Sequence, residues 1–483
     1  MKLELTESAK GKEFGVLLAE KKALSHVLGL DAEIKKIAQR EKFEAKETQS
    51  IFLLNGALGF ERFLVVGVSD KNATTEKIRR AVGGAVRAAQ FFKAKKISFL
   101  SPKTPSVREV EASRAIVEAS VLANYSFQKY KTKKEEKKSL VETLEIVGKF
   151  STSDEKELHN AFLVCSNVNM CRDLINDNSQ TVTPELLEKE AREAAKKSGL
   201  KIKVFGEKDL RKMKMGLFLA VAQANTTPPR MVMLEWNGEP SNKNKTVLVG
   251  KGVCFDTGGL DLKPGASMET MRYDMAGAAT VLGIMKTCAE LKIKKNIVGI
   301  LGLTENLIGE KSYRQGDVLT SMKGLTVENN STDAEGRLVL GDCLYYAATA
   351  YSPSLIVAIA TLTGSVKGTF GSNVAGFCST DERAAEKLMH AAGVTGELAW
   401  RMPLNEDYLA ETKSQRADLR STNKNKTNGM IYGAAFLTNF VEEKPYLHLD
   451  IAGTAFLEDM PKAYLEMGAT GYGLRLLVEM LRK

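Results

Sequence analysis

The chain has 483 residues and a mass of 52.8 kDa, which exceeds the size at which one hydrophobic core keeps growing, so we expect two or three domains. A hydrophobic content of 43% and a charged content of 27% are typical of a folded chain and exclude a disordered one. The longest apolar runs are shorter than the roughly 20 residues that span a bilayer, and the first residues lack the apolar segment of a secretory signal. We therefore expect a cytoplasmic protein that does not associate with membranes.

The net charge of +10 lies entirely in the first third of the chain. Residues 1–150 contain 29 Lys and Arg against 19 Asp and Glu, whereas residues 151–483 contain 40 of each. This asymmetry predicts a separate basic unit. Its basic face is either simply solvated or a surface that binds DNA, so a DNA-binding architectural or regulatory protein is kept as the alternative function.

The cysteines and histidines limit the chemistry of any metal site. The six cysteines are scattered and form no CxxC pair, which predicts buried reduced thiols and agrees with a cytoplasmic location. The four histidines are far apart, so the two-histidine zinc motif of a helix is absent. A metal ion would therefore need carboxylates or other ligands.

The first 152 residues alternate strand-like and helical patterns, which predicts an N-terminal α/β domain. The strands are predicted at 14–18, 51–54, 63–68, 97–100 and 144–147, and the helices at 75–92 and 107–122. The charged run 129–139 predicts an exposed loop. A helical pattern over 154–175 then predicts a linker helix, assigned to residues 153–175.

Residues 176–483 are predicted to form a larger C-terminal α/β domain. Thr183 and Pro184 open a helix there, as an N-cap followed by a proline at the first helical position. The strands are predicted at 202–205, 231–236, 247–255, 297–303, 355–362 and 446–451, and the helices near 275–291, 338–350, 381–392 and 431–441. Several of these strands are apolar throughout, as in a sheet that helices cover on both faces.

The segment 247–283 crowds charged residues next to an apolar strand. Lys251 lies within the strand, Asp256 ends it, and Lys263 and Asp274 follow. A lysine inside an apolar strand is costly unless it is paired or coordinated. Each residue also has an ordinary explanation, because lysines snorkel or stay exposed and aspartates fix turns or cap helices. Their crowding nevertheless favours a functional site.

A second cluster lies in the segment 329–347, where Asp333, Glu335 and Arg337 follow one another at every second position. If residues 331–337 are extended, the three side chains point to one side, and Gly336 permits a close backbone approach. Alternatively, a helix begins here with acids in its first turn and an Asp333–Arg337 pair at i, i+4. The pattern leaves both conformations open.

The charges of the two segments suggest metal chemistry. Four negative charges, on Asp256, Asp274, Asp333 and Glu335, would be neutralised by two divalent cations, and Lys251 adds a nitrogen ligand if it is deprotonated. Two such ions can share a bridging hydroxide that attacks a polarised carbonyl or phosphoryl group. The residues therefore predict a hydrolase with a two-metal site, with a metal-dependent phosphohydrolase as one alternative.

The sequence resembles the leucyl aminopeptidase family of dinuclear metallopeptidases. The resemblance rests on GKGVCFDTGGLDLKP, METMRYDMAGAA, STDAEGRLVLGD and HLDIAGTA, which occur in the family's order within residues 170–475. It implies a macro-like N-terminal α/β domain and a C-terminal peptidase domain, residues 176–483, with a central mixed sheet covered by helices. It also implies a homohexameric aminopeptidase of the EC 3.4.11.1 type that acts on peptides with a free N-terminus and prefers leucine and other apolar residues.

The resemblance further implies two divalent metal ions, Zn or Mn, with Mg or Co also suited to the exchangeable position. The family's metal ligands fall on five positions of this chain, Lys251, Asp256, Asp274, Asp333 and Glu335. Asp256 and Glu335 would bridge the two ions. Lys263 would polarise the scissile carbonyl and stabilise the oxyanion, and Arg337 would anchor a bicarbonate ion that acts as general base.

Substrate specificity is also implied by the resemblance. The family's pocket for the first side chain falls on Met271, Thr361, Leu362, Gly364 and Ala452. These small or apolar groups suit leucine-like side chains, and His448 and Asp450 are expected to be structural. The chain departs from the family pattern at Ser331, usually asparagine, so we expect a different loop geometry beside the metal ions. It also departs in the turns 176–180 and 421–426, the second of which lies near the substrate cleft in the family and bears on substrate preference.

Overall fold

The computed structural model describes residues 1–10, 12–54, 57–423 and 427–482. The chain divides into two compact units. The first comprises Met1–Asn169 and Glu458–Met467, and the second comprises Met170–Leu457 and Gly468–Lys483. The division falls inside one helix, Thr152–Asn176. The domain limits expected from the sequence, 1–152 and 176–483 with a linker at 153–175, stay a prediction.

The first unit is built on a six-stranded sheet with the order β1-β6-β5-β2-β4-β3. Its strands are β1 (Lys2–Thr6), β2 (Phe14–Glu20), β3 (Ser50–Leu54), β4 (Arg62–Ser69), β5 (Lys96–Phe99) and β6 (Thr143–Val147). All neighbouring strands are parallel except β3, which is antiparallel to β4. The helices are α1 (Leu24–Leu28), α2 (Ala32–Arg40), α3 (Thr75–Phe91), α4 (Glu109–Ala123) and α5 (Thr152–Asn176).

The five strands and two helices predicted for this unit are confirmed, and so is the helix predicted over 154–175. The sequence patterns missed β1, α1 and α2. The strand β1 alternates apolar with charged residues and pairs only with β6, and α1 is a single short turn, so neither has a long apolar signature. The charged run 129–139 contains a short 3-10 turn, Lys134–Glu136, with exposed residues around it.

The second unit contains an eight-stranded mixed sheet with the order β15-β14-β17-β13-β9-β10-β8-β7. These strands are β7 (Lys201–Gly206), β8 (Arg230–Asn237), β9 (Lys245–Asp256), β10 (Asn296–Asn306), β13 (Leu355–Ala360), β14 (Ala375–Ser379), β15 (Ala399–Arg401) and β17 (Tyr446–Asp450). The shorter strands are β11 (Val318–Thr320), β12 (Thr326–Glu328), β16 (Leu419–Arg420), β18 (Phe456–Leu457) and β19 (Gly468–Ala469). All six predicted strands are confirmed. The sequence patterns missed β14, which has five residues, and the strands of two or three residues, β11, β12, β15, β16, β18 and β19.

The helices of the second unit are α6 (Pro184–Ser198), α7 (Glu207–Lys212), α8 (Gly216–Ala222), α9 (Gly265–Met268), α10 (Ala276–Glu290), α11 (Glu335–Tyr351), α12 (Gly364–Phe370), α13 (Glu382–Thr395), α14 (Glu406–Ala410), α15 (Gly429–Thr438) and α16 (Leu474–Arg482). Thr183 caps α6 as predicted, since its side chain accepts the Leu186 N–H at 3.3 Å. No helix in the described ranges is long and apolar enough to cross a bilayer.

The centre of the eight-stranded sheet positions the charged residues that the sequence analysis singled out around Lys251 and Asp256. Strand β9 lies between β10 and β13 and is parallel to both, and every residue of β10 is buried. Helix α10 packs on one face of these strands and α11 packs on the other. Because the carboxyl ends of parallel strands meet at one edge of a sheet, the side chains that follow β9, β10 and β13 are brought together there.

Candidate active site

Lys251 is held inside the sheet by groups from three other segments. Its Nζ lies 2.8 Å from Asp274 Oδ1 and 2.8 Å from Glu335 Oε1, and it donates to the Thr361 carbonyl at 2.9 Å. The side chain is only 3% exposed. Lys251 therefore neither extends to the surface nor contacts solvent. Its ion pairs join the two charged segments of the sequence, 247–283 and 329–347.

Asp256, the last residue of β9, lies next to this group. Its Oδ1 accepts the Gly258 N–H at 2.8 Å and the Asn306 Nδ2–H at 2.7 Å, and its Oδ2 lies 2.8 Å from Lys263 Nζ. Gly258 has a φ of 84°, a conformation that a residue with a Cβ rarely adopts. This turn sends the chain back so that Lys263, seven residues further on, reaches Asp256.

The segment that carries Asp333 and Glu335 is a helix start, so of the two conformations left open by the sequence the extended one is wrong. Ser331 is extended and caps a 3-10 turn, Thr332–Ala334, after which α11 begins at Glu335. The Asp333 side chain is 36% exposed and pairs with Lys263, while Glu335 is buried and pairs with Lys251. The backbone N–H groups of a helix start suit negative charge, which explains why acids are placed there.

Asn306 has a role in the cluster that the sequence patterns did not reveal. It ends β10, and its Nδ2 donates to Asp256 Oδ1 and to the Thr332 carbonyl at 3.0 Å, so one amide ties β9 to the turn before α11. Tyr313 donates to the same carbonyl at 2.7 Å. A polar residue at the carboxyl end of an apolar strand next to β9 was the signal that would have identified Asn306.

The electrostatics of the cluster follow from four carboxylates and two ammonium groups in a buried space. Burial alone would lower the pKa of Lys251, but Asp274 and Glu335 raise it above its usual value. Burial and the neighbouring Glu335 raise the pKa of Asp333 to about 7, and burial raises the pKa of Asp274 as well. For Glu335 the two lysines outweigh burial and lower the pKa. With all four carboxylates ionised, the cluster would have two more negative charges than its two lysines neutralise, and the raised carboxyl pKa values reflect this.

The donor set of this cluster fits divalent cations. Oxygen atoms of Asp256, Asp333 and Glu335 lie within 4.8 Å of one another, close enough to ligate one ion. Within the described residues, Asp274 Oδ2 and Glu335 Oε2 are buried without any hydrogen-bond donor. A buried, unsatisfied carboxylate oxygen is costly, and a cation is the partner that would satisfy it. Hard oxygen ligands of this kind suit Mg, Mn and Zn.

A cleft of about 320 Å³ opens next to the cluster. Lys263, Asp333, Arg337 and Tyr432 line it. Arg337 is buried, donates to the Ser421 carbonyl at 2.8 Å and lies 5.7 Å from the centre of the Tyr432 ring, while its Nε lacks an acceptor among the described residues. A buried guanidinium N–H without an acceptor is costly, and a small anion is the kind of partner that would satisfy it.

The residues predicted to form the side-chain pocket follow β13 and β17 and are organised by Asp450. Asp450 accepts the Leu362 N–H at 3.1 Å, the Thr363 hydroxyl at 2.6 Å and the Ala452 N–H at 3.1 Å. Burial raises the pKa of Asp450 to about 6. Asp450 thus positions two of the predicted pocket segments, which agrees with the structural role expected for it.

The other predicted pocket residues lie nearby. Thr361 donates to Asp274 Oδ1 at 2.7 Å, Met271 is half-buried in a 3-10 turn that contains Asp274, and Gly364 begins α12. Two of the positions at which the sequence departs from the pattern it resembles, Ser331 and the turn 421–426, also lie here. Ser331 donates to Asp261 at 2.5 Å. Of the turn 421–426, residues 424–426 lie outside the described residues.

Gly336 should be sensitive to substitution because its backbone lies against Lys251. A Cβ built on Gly336 would lie 2.7 Å from Lys251 Cε and 2.8 Å from its Nζ. We expect Gly336→Ala to displace the Lys251 side chain and to destabilise the protein by about 1–3 kcal/mol. Thermal unfolding measures this effect. Gly393→Ala, at a helical glycine where the added Cβ meets no atom within 4 Å outside the adjacent backbone of its own helix, is the control, and equal stability of both variants would contradict the expectation.

Comparison with known proteins gives the family context. Residues 169–478 match the catalytic domain of the cytosol aminopeptidase family, and residues 15–134 match its N-terminal domain. The chain is 39% identical over 447 residues to a probable cytosol aminopeptidase of Protochlamydia amoebophila, covering 91% of this chain and 89% of the relative. It is 36% identical over 455 residues to one of a Geobacter species, covering 93% and 91%.

Solved structures give the same answer for the fold. Tomato leucine aminopeptidase, in a mutant form, is similar with a TM-score of 0.89 and 30% identity, covering 100% of this chain and 96% of that one. The bottromycin maturation enzyme BotP, in complex with Mn, has a TM-score of 0.87 and 29% identity, covering 98% and 99%. The two-unit α/β fold, the carboxylate cluster and these matches together establish that the chain belongs to the cytosol aminopeptidase family.

Proposed function

We propose that this protein is a metal-dependent aminopeptidase that releases N-terminal residues from peptides, with leucine and other apolar residues preferred. The observation that carries the proposal is the cluster of Asp256, Asp333 and Glu335, whose oxygen atoms lie within 4.8 Å of one another beside two lysines. Family membership supports a peptidase over a phosphohydrolase. The EC 3.4.11.1 assignment and the homohexamer remain predictions from the resemblance, and the cytoplasmic location remains a prediction from the sequence composition.

Two divalent ions, Zn or Mn with Mg or Co as alternatives at the exchangeable position, would be held by the five predicted ligands. Lys251, Asp256, Asp274 and Glu335 would hold the tighter ion, and Asp256, Asp333 and Glu335 the other. When bound, the ions would supply Lewis acidity toward the scissile carbonyl and a water molecule of lowered pKa. Lys251 must lose a proton to become a ligand, so binding of the tighter ion should release protons.

The protein's own residues supply orientation and charge. Asn306 fixes the Asp256 carboxylate, and Lys263, half-buried with its pKa raised by Asp256 and Glu335 despite burial, keeps a positive charge at the cleft. That charge would stabilise the negative charge that develops on the carbonyl oxygen. Arg337, with its Nε free of acceptors in the described parts of the chain, would hold a bicarbonate ion, which would act as general base.

Preference for an apolar first residue would come from the segments that Asp450 organises. Ala452 is buried beside Val366 and Met430 in one apolar cluster, and Leu362 is half-buried. With Met271, Thr361 and Gly364, these residues offer methyl groups and little polar surface to a substrate side chain. Such a pocket accepts leucine-like groups and discriminates against charged ones.

The proposal is tested by metal removal. We expect protein treated with a chelator to lose hydrolysis of leucine p-nitroanilide, and added Mn or Zn to restore it. The reason is that carboxylates alone supply no Lewis acid to polarise the scissile carbonyl. An N-acetylated leucine p-nitroanilide is the control, since an aminopeptidase requires a free amine. Chelator-resistant hydrolysis, or equal turnover of the acetylated substrate, would refute the proposal, and turnover of phosphate esters alone would favour a phosphohydrolase.

A further inference from the structure

A second cavity, of about 480 Å³, lies in the second unit at the amino ends of the central strands. It is lined by Thr246, Asn296 and Leu355, from the starts of β9, β10 and β13. The three strands are parallel, so this cavity lies at the sheet edge opposite to the edge that carries Asp256 and Asn306. It has no part in the peptidase chemistry proposed above.

The walls of this cavity carry four cationic side chains. They are Lys294, Lys295, Arg383 and Lys387, two from the loop after α10 and two from α13. In the described ranges of the chain, no carboxylate forms an ion pair with any of the four.

The two acids that line the cavity are already engaged. Asp381 accepts the Ala384 N–H at 2.7 Å as the cap of α13, and Glu239 accepts the Asn242 side-chain N–H at 3.0 Å. Because four cations and two carboxylates line the cavity, its lining has two more positive than negative side chains. A small anion inside it would be attracted by several cations at once.

Lys295 is half-buried in the wall of the cavity, which Lys387 also lines. Burial and the positive charge of Lys387 lower the pKa of Lys295, with Glu239 a weaker opposing influence. The adjacent loop is also fixed in place, because Asn296 Nδ2 donates to the Glu239 carbonyl at 2.8 Å and to the Asn242 carbonyl at 2.6 Å. A rigid wall with repelling cations is preorganised for a ligand that brings negative charge.

We propose that this cavity binds a small phosphate-bearing ligand with at least two negative charges. Its volume lies within the range of about 300–1,000 Å³ typical of small-molecule sites. The ammonium group of lysine binds phosphate as a compact point charge. Arginine, in contrast, pairs with carboxylates in a planar, bidentate geometry.

Trp236 offers a reporter for this site. Its Nε1 donates to the Ile293 carbonyl at 2.8 Å, directly before Lys294 and Lys295. The sequence contains two tryptophans, and Trp400 is 59% exposed. In a Trp400→Phe background, titration of the full chain with pyrophosphate at constant ionic strength should therefore change Trp236 fluorescence in a saturable way.

The lysines provide matched variants for the titration. We expect Lys295→Gln combined with Lys387→Gln to weaken pyrophosphate binding at least tenfold. Lys189→Gln combined with Lys196→Gln removes the same charge from exposed positions on α6 and should leave the affinity unchanged. Thermal unfolding checks that both double variants are folded. If the Lys295→Gln, Lys387→Gln protein does not fold, the single variant Lys387→Gln takes its place.

Three results would overturn the proposal. Equal pyrophosphate affinity in all the proteins would mean that the cavity is not the binding site. An equal response to citrate would refute the phosphate assignment, and a stronger response to duplex DNA would assign the surface to a nucleic acid. Hydrolysis of leucine p-nitroanilide should be the same in both double variants, so failure here is separate from failure of the proposed peptidase function.

Discussion

Glu335→Gln should lower kcat/KM for leucine p-nitroanilide at least about a hundredfold while the protein stays folded. Loss of a residue that only supports a metal ligand costs up to about a hundredfold in metal affinity or activity, and Glu335 is expected to be a ligand itself. The reason is that Glu335 is the carboxylate shared by the whole cluster. It pairs with Lys251 at 2.8 Å and belongs with Asp256 and Asp333 to the group that fits an ion. Glutamine keeps the shape but removes the charge and one anionic ligand oxygen.

Steady-state kinetics with added Mn, together with thermal unfolding, measure this effect. Glu305→Gln is the matched control, because Glu305 is also a buried glutamate, 8% exposed, and lies next to Asn306 without belonging to the ion-fitting group. We expect that control to keep its activity. Near-normal turnover by Glu335→Gln would refute the assignment of the site.

The second large effect is expected on stability. Lys251→Met should lower the free energy of unfolding of metal-free protein by about 3–5 kcal/mol, because it leaves buried carboxylates without their compensating charge. Lys251 is 3% exposed and pairs with Asp274 and Glu335, both at 2.8 Å. Methionine has a similar volume, so a cavity contributes little to the loss.

The measurement is the midpoint of thermal unfolding in the presence of a chelator, which we expect to fall by at least about 6 °C. Lys197→Met removes an exposed lysine whose side chain is 70% accessible and which pairs with Glu193 at 3.4 Å. Such surface pairs contribute about 0–1 kcal/mol, so the midpoint of this control should barely move. An equally small change for Lys251→Met would mean that Asp274 and Glu335 are neutral in the folded protein.

The fold class, the family and the cluster of charged residues were within reach of the sequence because their signals are local. Long apolar strands, the Thr183–Pro184 helix start and the charged residues around Lys251 and Glu335 can be read from short windows of residues. The basic first third is also a sequence property, but charge alone does not distinguish a solvated face from a DNA-binding one, so DNA binding stays a prediction.

Other features depended on contacts between distant segments. Asn306 is 50 residues from Asp256, and the amide that ties them together exists only because β9 and β10 pair in parallel and end at one edge. Asp450 likewise reaches Leu362 across 88 residues. No local periodicity reports which strands become neighbours.

The sequence by itself determined which residues could carry charge into the interior, since a lysine in an apolar strand and acids beside glycines stand out against their surroundings. Only the tertiary structure decided that residues 332–334 form a turn before a helix, that Asn306 fixes Asp256, and that Lys295 and Lys387 share a cavity. The physical reason is that composition and spacing fix local conformation and burial, whereas the pairing of strands and the packing of helices fix which distant charges meet.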